Sequence, residues 1–279
     1  MPPSVTVCWN GVTVSTPLTW QSIVRENRHL IFERDVKPML EIRWDSKSKS
    51  SARSRKKMAA KLGENLAQDG ASADIGDWFI NVRQSFTVHP VSLPGEPAGA
   101  LLYCRTCQTP FLVKIFDRPE SRSGELLDIS CNCRAPTEKP WLIHDLSFVV
   151  PEGFSLTSSS FQFGLTLMVF HHGAVELRLV KVAPASARLK RQTLAELFAE
   201  FCECSPADTF QANAGTVQYV SAPSPFGQIR MRLRRRKPFI WARFTLDENR
   251  DRIIGFTLRG KAPFAEDLVT TVADNYRLV

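Results

Sequence analysis

The sequence predicts an α+β fold of two tandem, pseudo-symmetric domains, residues 1–140 and 141–279, each a mainly antiparallel sheet with packed helices. Three observations support this prediction. The chain carries an internal repeat, strand patterns flank amphipathic helices, and most connections are too short for parallel crossovers. A length of 279 residues also suits about two domains.

The repeat appears when the second half of the chain is laid over the first. Residues 40–44 match residues 175–179, and the tripeptide that ends at Arg53 recurs about 135 residues later, ending at Arg188. The matches are short, but they keep their order and nearly the same spacing over a hundred residues. A tandem duplication with a boundary near residue 140 explains them.

Each half has the same order of elements: strands, an amphipathic helix, then a meander of three strands. Helical spacing of apolar residues predicts the helix from Arg55 to about Leu66 in the first half and around Phe198 in the second. A last helix is expected from about Pro263 to Asn275. The meander strands are expected at 100–104, 111–116 and 126–131 in the first half and at 228–233, 239–245 and 252–258 in the second.

The second half opens with the sequence VPEGFSL and continues with a strand pair that ends in VELRL, a helix and the terminal meander. This order of elements resembles the PsbP-like fold of photosystem subunits and of a Ran-binding nuclear import factor. The likeness covers both halves as an order of elements and not as a motif. Because members of that fold are mostly non-catalytic binding proteins, the resemblance implies a binding role. It assigns no functional residue.

Composition places the chain among basic proteins. It has 36 Lys and Arg against 28 Asp and Glu, a net charge of +8, which permits an acidic partner without requiring one. It has neither an apolar stretch long enough to span a bilayer nor a signal-peptide pattern at its start, so no membrane partner is expected. Seven clustered cysteines fit a reducing compartment, and a cytoplasmic location is expected. The sequence does not specify an oligomeric state.

Four cysteines form two closely spaced pairs: Cys104 with Cys107, and Cys131 with Cys133. In an antiparallel meander, the end of the first strand, the start of the second and the end of the third lie at one edge, so the four thiols are expected to meet. A C-x-x-C turn is the usual half of a Cys₄ zinc site. Structural Zn²⁺ is the leading interpretation, and plain reduced cysteines and a redox or disulfide pair are the alternatives. A catalytic zinc is disfavoured, because four thiolates leave no open position.

The repeat supplies an internal comparison for this cluster. Beyond the helices, residues 110–116 match 238–244 at a spacing of about 128, which sets Cys104 opposite Arg232 and Cys107 opposite Arg235. The second half is therefore expected to fold without these thiols, and a metal would be an additional cross-link in the first half.

A basic run with interleaved aromatics is the candidate binding surface. Guanidinium groups bind phosphates or carboxylates, and aromatic rings stack on bases. The alternative interpretation is a solvated turn that protects a sheet edge. The candidate residues are Arg230, Arg232, Arg234, Arg235, Arg236, Lys237, Trp241 and Arg243. Of two other basic stretches, the one at 47–57 is expected to be a solubilising loop. The one at 181–191 lies at a helix start, where only the peptide dipole would favour an anion.

Three functions remain open. The first is a non-enzymatic binding or adaptor protein that engages an acidic partner, protein or nucleic acid, through a basic face. The second is a zinc-stapled single-stranded nucleic-acid-binding protein. The third is an enzyme with its site in the inter-domain cleft, using His144 or His171. The sequence lacks G-x-S-x-G, Walker A, H-E-x-x-H and G-x-G-x-x-G motifs, so no catalytic residue is assigned.

Overall fold

The computed structural model describes residues 4–45, 51–61, 65–66, 82–92, 98–116, 127–134, 139–204, 210–213, 215–221, 224 and 237–279. The chain divides into two compact units, Met1–Asp145 and Leu146–Val279. The boundary lies at a short turn, His144-Asp145, between two strands.

The first unit has eleven strands among its described residues. They are β1 (Ser4–Trp9), β2 (Val12–Pro17), β3 (Gln21–Glu26), β4 (His29–Arg34), β5 (Lys37–Trp44), β6 (Asn65–Leu66), β7 (Phe86–Ser92), β8 (Ala98–Cys104), β9 (Pro110–Ile115), β10 (Asp128–Cys131) and β11 (Lys139–Ile143). Its helices are α1 (Ala52–Lys61), α2 (Val82–Ser85) and a 3₁₀ turn at Asn132–Arg134.

The second unit has nine strands among its described residues. They are β12 (Leu146–Val150), β13 (Ser155–Gln162), β14 (Leu165–His172), β15 (Val175–Val182), β16 (Phe210–Asn213), β17 (Thr216–Ser221), β18 (Phe239–Asp247), β19 (Arg252–Gly260) and β20 (Arg277–Leu278). Its helices are α3 (Ala185–Leu189), α4 (Leu194–Cys202) and α5 (Glu266–Asn275).

Each unit contains a seven-stranded antiparallel sheet with the same strand order. The order is β3-β4-β5-β9-β8-β7-β6 in the first unit and β13-β14-β15-β19-β18-β17-β16 in the second. The matched residues 40–44 and 175–179 lie on β5 and β15, which hold the third place in each sheet. In addition, β10 pairs with β2 in the first unit as β20 pairs with β12 in the second.

The expected α+β class with packed helices is wrong. Of the described residues, 56% lie in strands and 18% in helices. The α-helices have between 4 and 10 residues, too short to form a layer of their own on the sheets. The expected helices exist, although the first ends at Lys61 and residues 65–66 form β6 instead of its last turn. The sequence interpretation also passed over several hairpins. One is marked by Asn10-Gly11, a turn dipeptide with positive φ at both residues that joins β1 to β2.

The expected meander of the first half is also wrong. Strands β8 and β9 pair as expected, but β10 lies beside β2 in another sheet and does not return along β9. The alignment of residues 110–116 with 238–244 is wrong as well. It matches β9 with β18, but β9 holds the fourth place in its sheet and β18 holds the fifth. Strand β9 corresponds by position to β19 instead.

Apolar residues alternate along the strands and fill each core. In the first unit, Trp9 is fully buried and meets Trp141 edge-on at 5.0 Å between ring centroids. In the second unit, α4 packs Phe198 against Phe244 of β18 at 5.1 Å. In the part of the chain that the structure describes, no helix combines the length and apolar character needed to cross a bilayer.

Candidate metal centre

Two chain segments bring four cysteines together in the first unit. Cys104 ends β8 and Cys107 lies in the turn before β9, while Cys131 ends β10 and Cys133 lies in the 3₁₀ turn that follows. Their four Sγ atoms all lie within 4.8 Å of one another. The prediction that these thiols meet is therefore confirmed, although β10 arrives from a different sheet than expected.

The spacing of the sulfurs suits one tetrahedral ion. Cys104 Sγ lies 3.7 Å from Cys133 Sγ, and Cys107 Sγ lies 3.5 Å from Cys131 Sγ. Four bonds of about 2.3 Å in a tetrahedron place sulfurs about 3.8 Å apart. Disulfide bonding requires about 2.05 Å, so the cysteines are free thiols here. The cluster could hold a metal ion.

Backbone hydrogen bonds shape the C-x-x-C turn. The Cys104 N–H donates to the Thr109 carbonyl at 3.0 Å, and the Gln108 N–H donates to the Cys104 carbonyl at 2.9 Å. Gln108 has a left-handed backbone, with φ of 61°, which closes the turn. Cys107 Sγ also lies 3.1 Å from the Thr109 hydroxyl. The turn thus presents both sulfurs before any ion binds.

A polar clamp fixes the C-x-C segment. The Asn132 amide nitrogen donates to Thr13 Oγ1 at 2.9 Å, and the Thr13 hydroxyl lies 3.1 Å from Asn132 Oδ1. The Asn132 backbone N–H donates to the Gly11 carbonyl at 2.9 Å. The hairpin of β1 and β2 therefore positions Cys131 and Cys133. Sequence reasoning missed this clamp, because the contacts join segments that are far apart in the chain.

The thiols influence one another electrostatically. Burial acts to raise the pKa of the Cys107 thiol, but hydrogen bonds with Thr109, Cys131 and Cys104 outweigh it and lower that pKa to about 7. Burial and the interactions with Cys104 and Cys107 raise the pKa of Cys133 to about 11, and burial followed by the same neighbours raises the pKa of Cys131. Several thiolates cannot share this small volume without a cation. The cluster is therefore a donor set that a cation would stabilise.

The second unit forms the equivalent turn without cysteines. By position, the turn between β8 and β9 corresponds to the turn between β18 and β19, which also ends on a left-handed residue, Asp251, with φ of 54°. This turn, and not the Arg232 to Arg235 segment, is the proper comparison. Since it folds without thiols, the fold of the turn does not depend on a metal.

The basic run lies mostly outside the described residues. The candidate residues outside the described part are Arg230, Arg232, Arg234, Arg235 and Arg236. Lys237 is described, and its ammonium donates to Glu176 Oε2 at 2.9 Å. Trp241 is half-buried and stacks on Phe256, with ring centroids 5.0 Å apart. Arg243 is also half-buried and, two residues along β18, lies on the same face as Trp241.

The two histidines considered for catalysis make local contacts. His144 Nε2 lies 3.0 Å from the Ser22 carbonyl oxygen within the first unit. His171 Nε2 lies 3.5 Å from Glu176 Oε2 within the second. Each contact serves to join neighbouring strands or turns, and neither places the ring in a catalytic arrangement with a nucleophile among the described residues.

Sequence reasoning missed an ionic group that the repeat carries in both units, buried in the first and half-buried in the second. On β5, the carboxylate of Glu41 lies 2.8 Å from His29 Nε2 and 2.5 Å from Arg43 Nε. On β15, Glu176 lies 2.6 Å from Arg178 Nε. Burial acts to raise the pKa of Glu41, but its bond with His29 and the Arg43 charge lower it overall. The Glu-x-Arg pattern within residues 40–44 and 175–179 was the available signal.

Comparison with known proteins identifies no relative. No family model, no curated protein and no solved structure matches the chain. The resemblance to the PsbP fold therefore stays a prediction.

Proposed function

We propose that the chain is a non-enzymatic binding protein that engages an acidic partner through a basic face of its second unit and carries a structural Zn²⁺ in its first. The observation that carries the structural metal is the closed set of four sulfurs within 4.8 Å. Four thiolate ligands fill a tetrahedral ion completely, which leaves no position for a substrate or an activated water. A metal held in this way supports structure and not catalysis.

Zinc is the ion that this donor set favours. Soft thiolates in tetrahedral array select Zn²⁺ or iron, and zinc is the usual choice where the ion only joins two chain segments. Here the ion would tie the turn at Cys107 to the end of β10 at Cys131, which belong to different sheets of the first unit. This role explains why the second unit, which has a similar turn, can lack the cysteines.

The charge of the chain favours an acidic partner. The net charge is +8, and Arg243 and Trp241 share one face of β18. Their cross-strand neighbours on β17 are Gln218 and Val220, and Val220 is 50% exposed. On β19 their neighbours, Leu258 and Phe256, are buried, so this face is open on its β17 side only. A guanidinium beside an aromatic ring at such a place binds carboxylates and phosphates, and the ring stacks on bases. This pairing also supports the alternative of a single-stranded nucleic-acid-binding protein. The enzyme alternative stays a prediction.

Binding measured by fluorescence anisotropy against salt tests the proposal. A labelled glutamate-rich peptide and a labelled ten-nucleotide single strand serve as probes. At least one is expected to bind, with an affinity that falls steeply with salt. The Arg243→Ser variant, and a variant with serine at residues 234–237, should each weaken that binding about tenfold.

The exposed Arg25 on β3 provides a control of equal charge, since Arg25→Ser should leave the affinity unchanged. Failure of the protein to bind either probe, or an equal loss in the Arg25→Ser control, would refute the proposed face. Tighter binding of the peptide would indicate an adaptor for an acidic protein, and tighter binding of the single strand would indicate a nucleic-acid-binding protein.

A further inference from the structure

A cavity of about 410 Å³ lies in the second unit, between the tip of the β13–β14 hairpin and α3. Its walls include Phe163, Ala183, Pro184, Arg188, Arg191 and Gln192. This volume falls in the range of small-molecule sites. None of these residues belongs to the cysteine cluster or to the Arg230–Arg243 run, so the cavity is a separate feature.

One wall is an aromatic ring held out in solvent. Phe163 is fully exposed, at 102% of its reference area, which is unusual for an aromatic residue. The backbone of the hairpin tip that carries it is nevertheless held in place. The next residue, Gly164, has φ of 83°, and its carbonyl accepts a hydrogen bond from the Ala183 N–H at 3.0 Å. The backbone at Phe163 is therefore fixed beside the start of α3, and its exposed ring is accessible from solvent.

Another part of the lining is cationic and lies on and just after an anchored helix. The Ser186 N–H and hydroxyl donate to the two carboxylate oxygens of Asp251 at 2.6 and 2.9 Å, which anchors α3 to the β18–β19 turn. Arg188 and Arg191 are exposed beyond this anchor. Within the described part of the chain neither guanidinium forms an ion pair, and residues 177–195 contain no Asp or Glu. Both guanidinium groups thus line the cavity without an ion-pair partner among the described residues.

We propose that this cavity binds a nucleotide, with the base stacked on Phe163 and the phosphate held by Arg188 and Arg191. Guanidinium groups bind phosphate oxygens in pairs, and an accessible aromatic ring accepts any base on its face. The Gln192 amide adds a neutral donor and acceptor at the same wall. The ligand is either a free nucleotide or one unit of a single strand, which share this chemistry. The site goes beyond the basic face proposed above, because it uses other elements.

The first unit offers an internal contrast. Its repeat-equivalent cations are Arg53 and Lys56, which are both exposed on α1. The corresponding hairpin, β3–β4, turns at Asn27 and Arg28 and has no aromatic residue there. The first unit therefore has the two cations of the proposed site but lacks an aromatic ring at the place of Phe163. The variant Arg53→Ser/Lys56→Ser removes the same charge as Arg188→Ser/Arg191→Ser and serves as the matched control.

The test is titration of the full chain with two probes, adenosine monophosphate by calorimetry and a fluorescent ten-residue oligothymidine by anisotropy. At least one probe should bind the wild type. Arg188→Ser/Arg191→Ser should weaken that binding by tenfold or more, and Phe163→Ala by about tenfold, the loss of one stacked base. The Arg53→Ser/Lys56→Ser control should bind as the wild type does.

Each outcome is decisive. Binding of the monophosphate identifies the ligand as a free nucleotide, and binding of the oligonucleotide alone identifies it as a strand. Either result supports the site if the cavity variants lose that binding. The site is refuted if neither probe binds, if the cavity variants bind normally, or if a glutamate-rich peptide displaces the bound probe as well as unlabelled nucleotide does. Loss in Arg243→Ser with normal binding in the cavity variants would support the basic face and refute the cavity. The two proposals can thus fail separately.

Discussion

The Sγ atoms of Cys107 and Cys131 lie 3.5 Å apart although the two residues belong to different sheets of the first unit. Cys107 is set by the short turn between β8 and β9, and Cys131 by the pairing of β10 with β2, where it lies opposite Val12. An ion at the cluster would therefore join the two sheets directly. With an ion bound, the first unit would have a cross-link that the second unit lacks.

Removing one ligand should release the metal and lower the stability of the first unit. Cys107→Ser leaves three sulfurs, and the metal content should fall from about one ion per chain to near zero, because a tetrahedral structural site needs four ligands. The melting temperature of the metal-loaded protein should fall as well. Cys204→Ser, at a half-buried cysteine outside the cluster, is the control and should keep the metal. Retention of metal by Cys107→Ser would exclude the assigned ligand set.

The clamp behind the C-x-C segment should tune metal affinity without supplying a ligand. Asn132→Ala removes both side-chain contacts with Thr13. Groups that orient metal ligands typically contribute about 10–100-fold in affinity. Competition with a colorimetric chelator should show a weakening in this range, while the stoichiometry stays unchanged. An unaltered affinity would mean that the clamp supports only the strand and not the site.

The buried Glu41 should make stability depend on pH. Because its pKa in the folded protein is lowered from the ordinary 4.5, its contribution is present above that value and is lost as the pH falls through the lowered pKa. Glu41→Gln should lower stability at pH 7 by about 2–3 kcal/mol, since Arg43 loses its buried partner. The variant should also lose less stability than the wild type on acidification. Chemical denaturation at pH 7 and pH 3.5 measures both effects, with the exposed Glu152→Gln as the control.

A close contact in the second unit should make Gly255 intolerant of a side chain. A Cβ at this position would lie 2.0 Å from Cδ1 of the buried Phe244, which stands opposite it on β18. Gly255→Ala should therefore destabilise the unit by about 1–3 kcal/mol. Shortening the ring with Phe244→Leu should make the glycine change less costly in the double variant. Additive effects in denaturant titrations would show that the ring does not cause the cost.

The sequence predicted the parts of this structure that depend on local pattern. The repeat located β5 and β15 at the same place in two sheets, and the C-x-x-C and C-x-C pairs identified the thiols that meet. The pairing of β10 with β2 was not predictable, because nothing in the short strand specifies which edge it joins. The clamp between Asn132 and Thr13 follows from that pairing and was missed with it.

Helix content was overestimated for a physical reason. Apolar spacing around Phe198 does specify a helix, begun by a Thr193 capping box, but the helix ends at Cys202 after 9 residues. Some strands give a weak sequence signal, as in β3, where no residue is fully buried and burial does not alternate along the strand. Summed over many short strands, these weak signals determine the class of the protein.

The metal content of the native protein tests the central claim most directly. Protein purified without chelator, and a variant with serine at Cys104, Cys107, Cys131 and Cys133, should be compared by elemental analysis together with a count of reactive thiols. The wild type should carry about one zinc per chain, with its four cluster thiols protected until the metal is removed, and the variant should carry none. A wild-type chain without metal and with all four cluster thiols reactive, or a variant that keeps its zinc, would contradict the account.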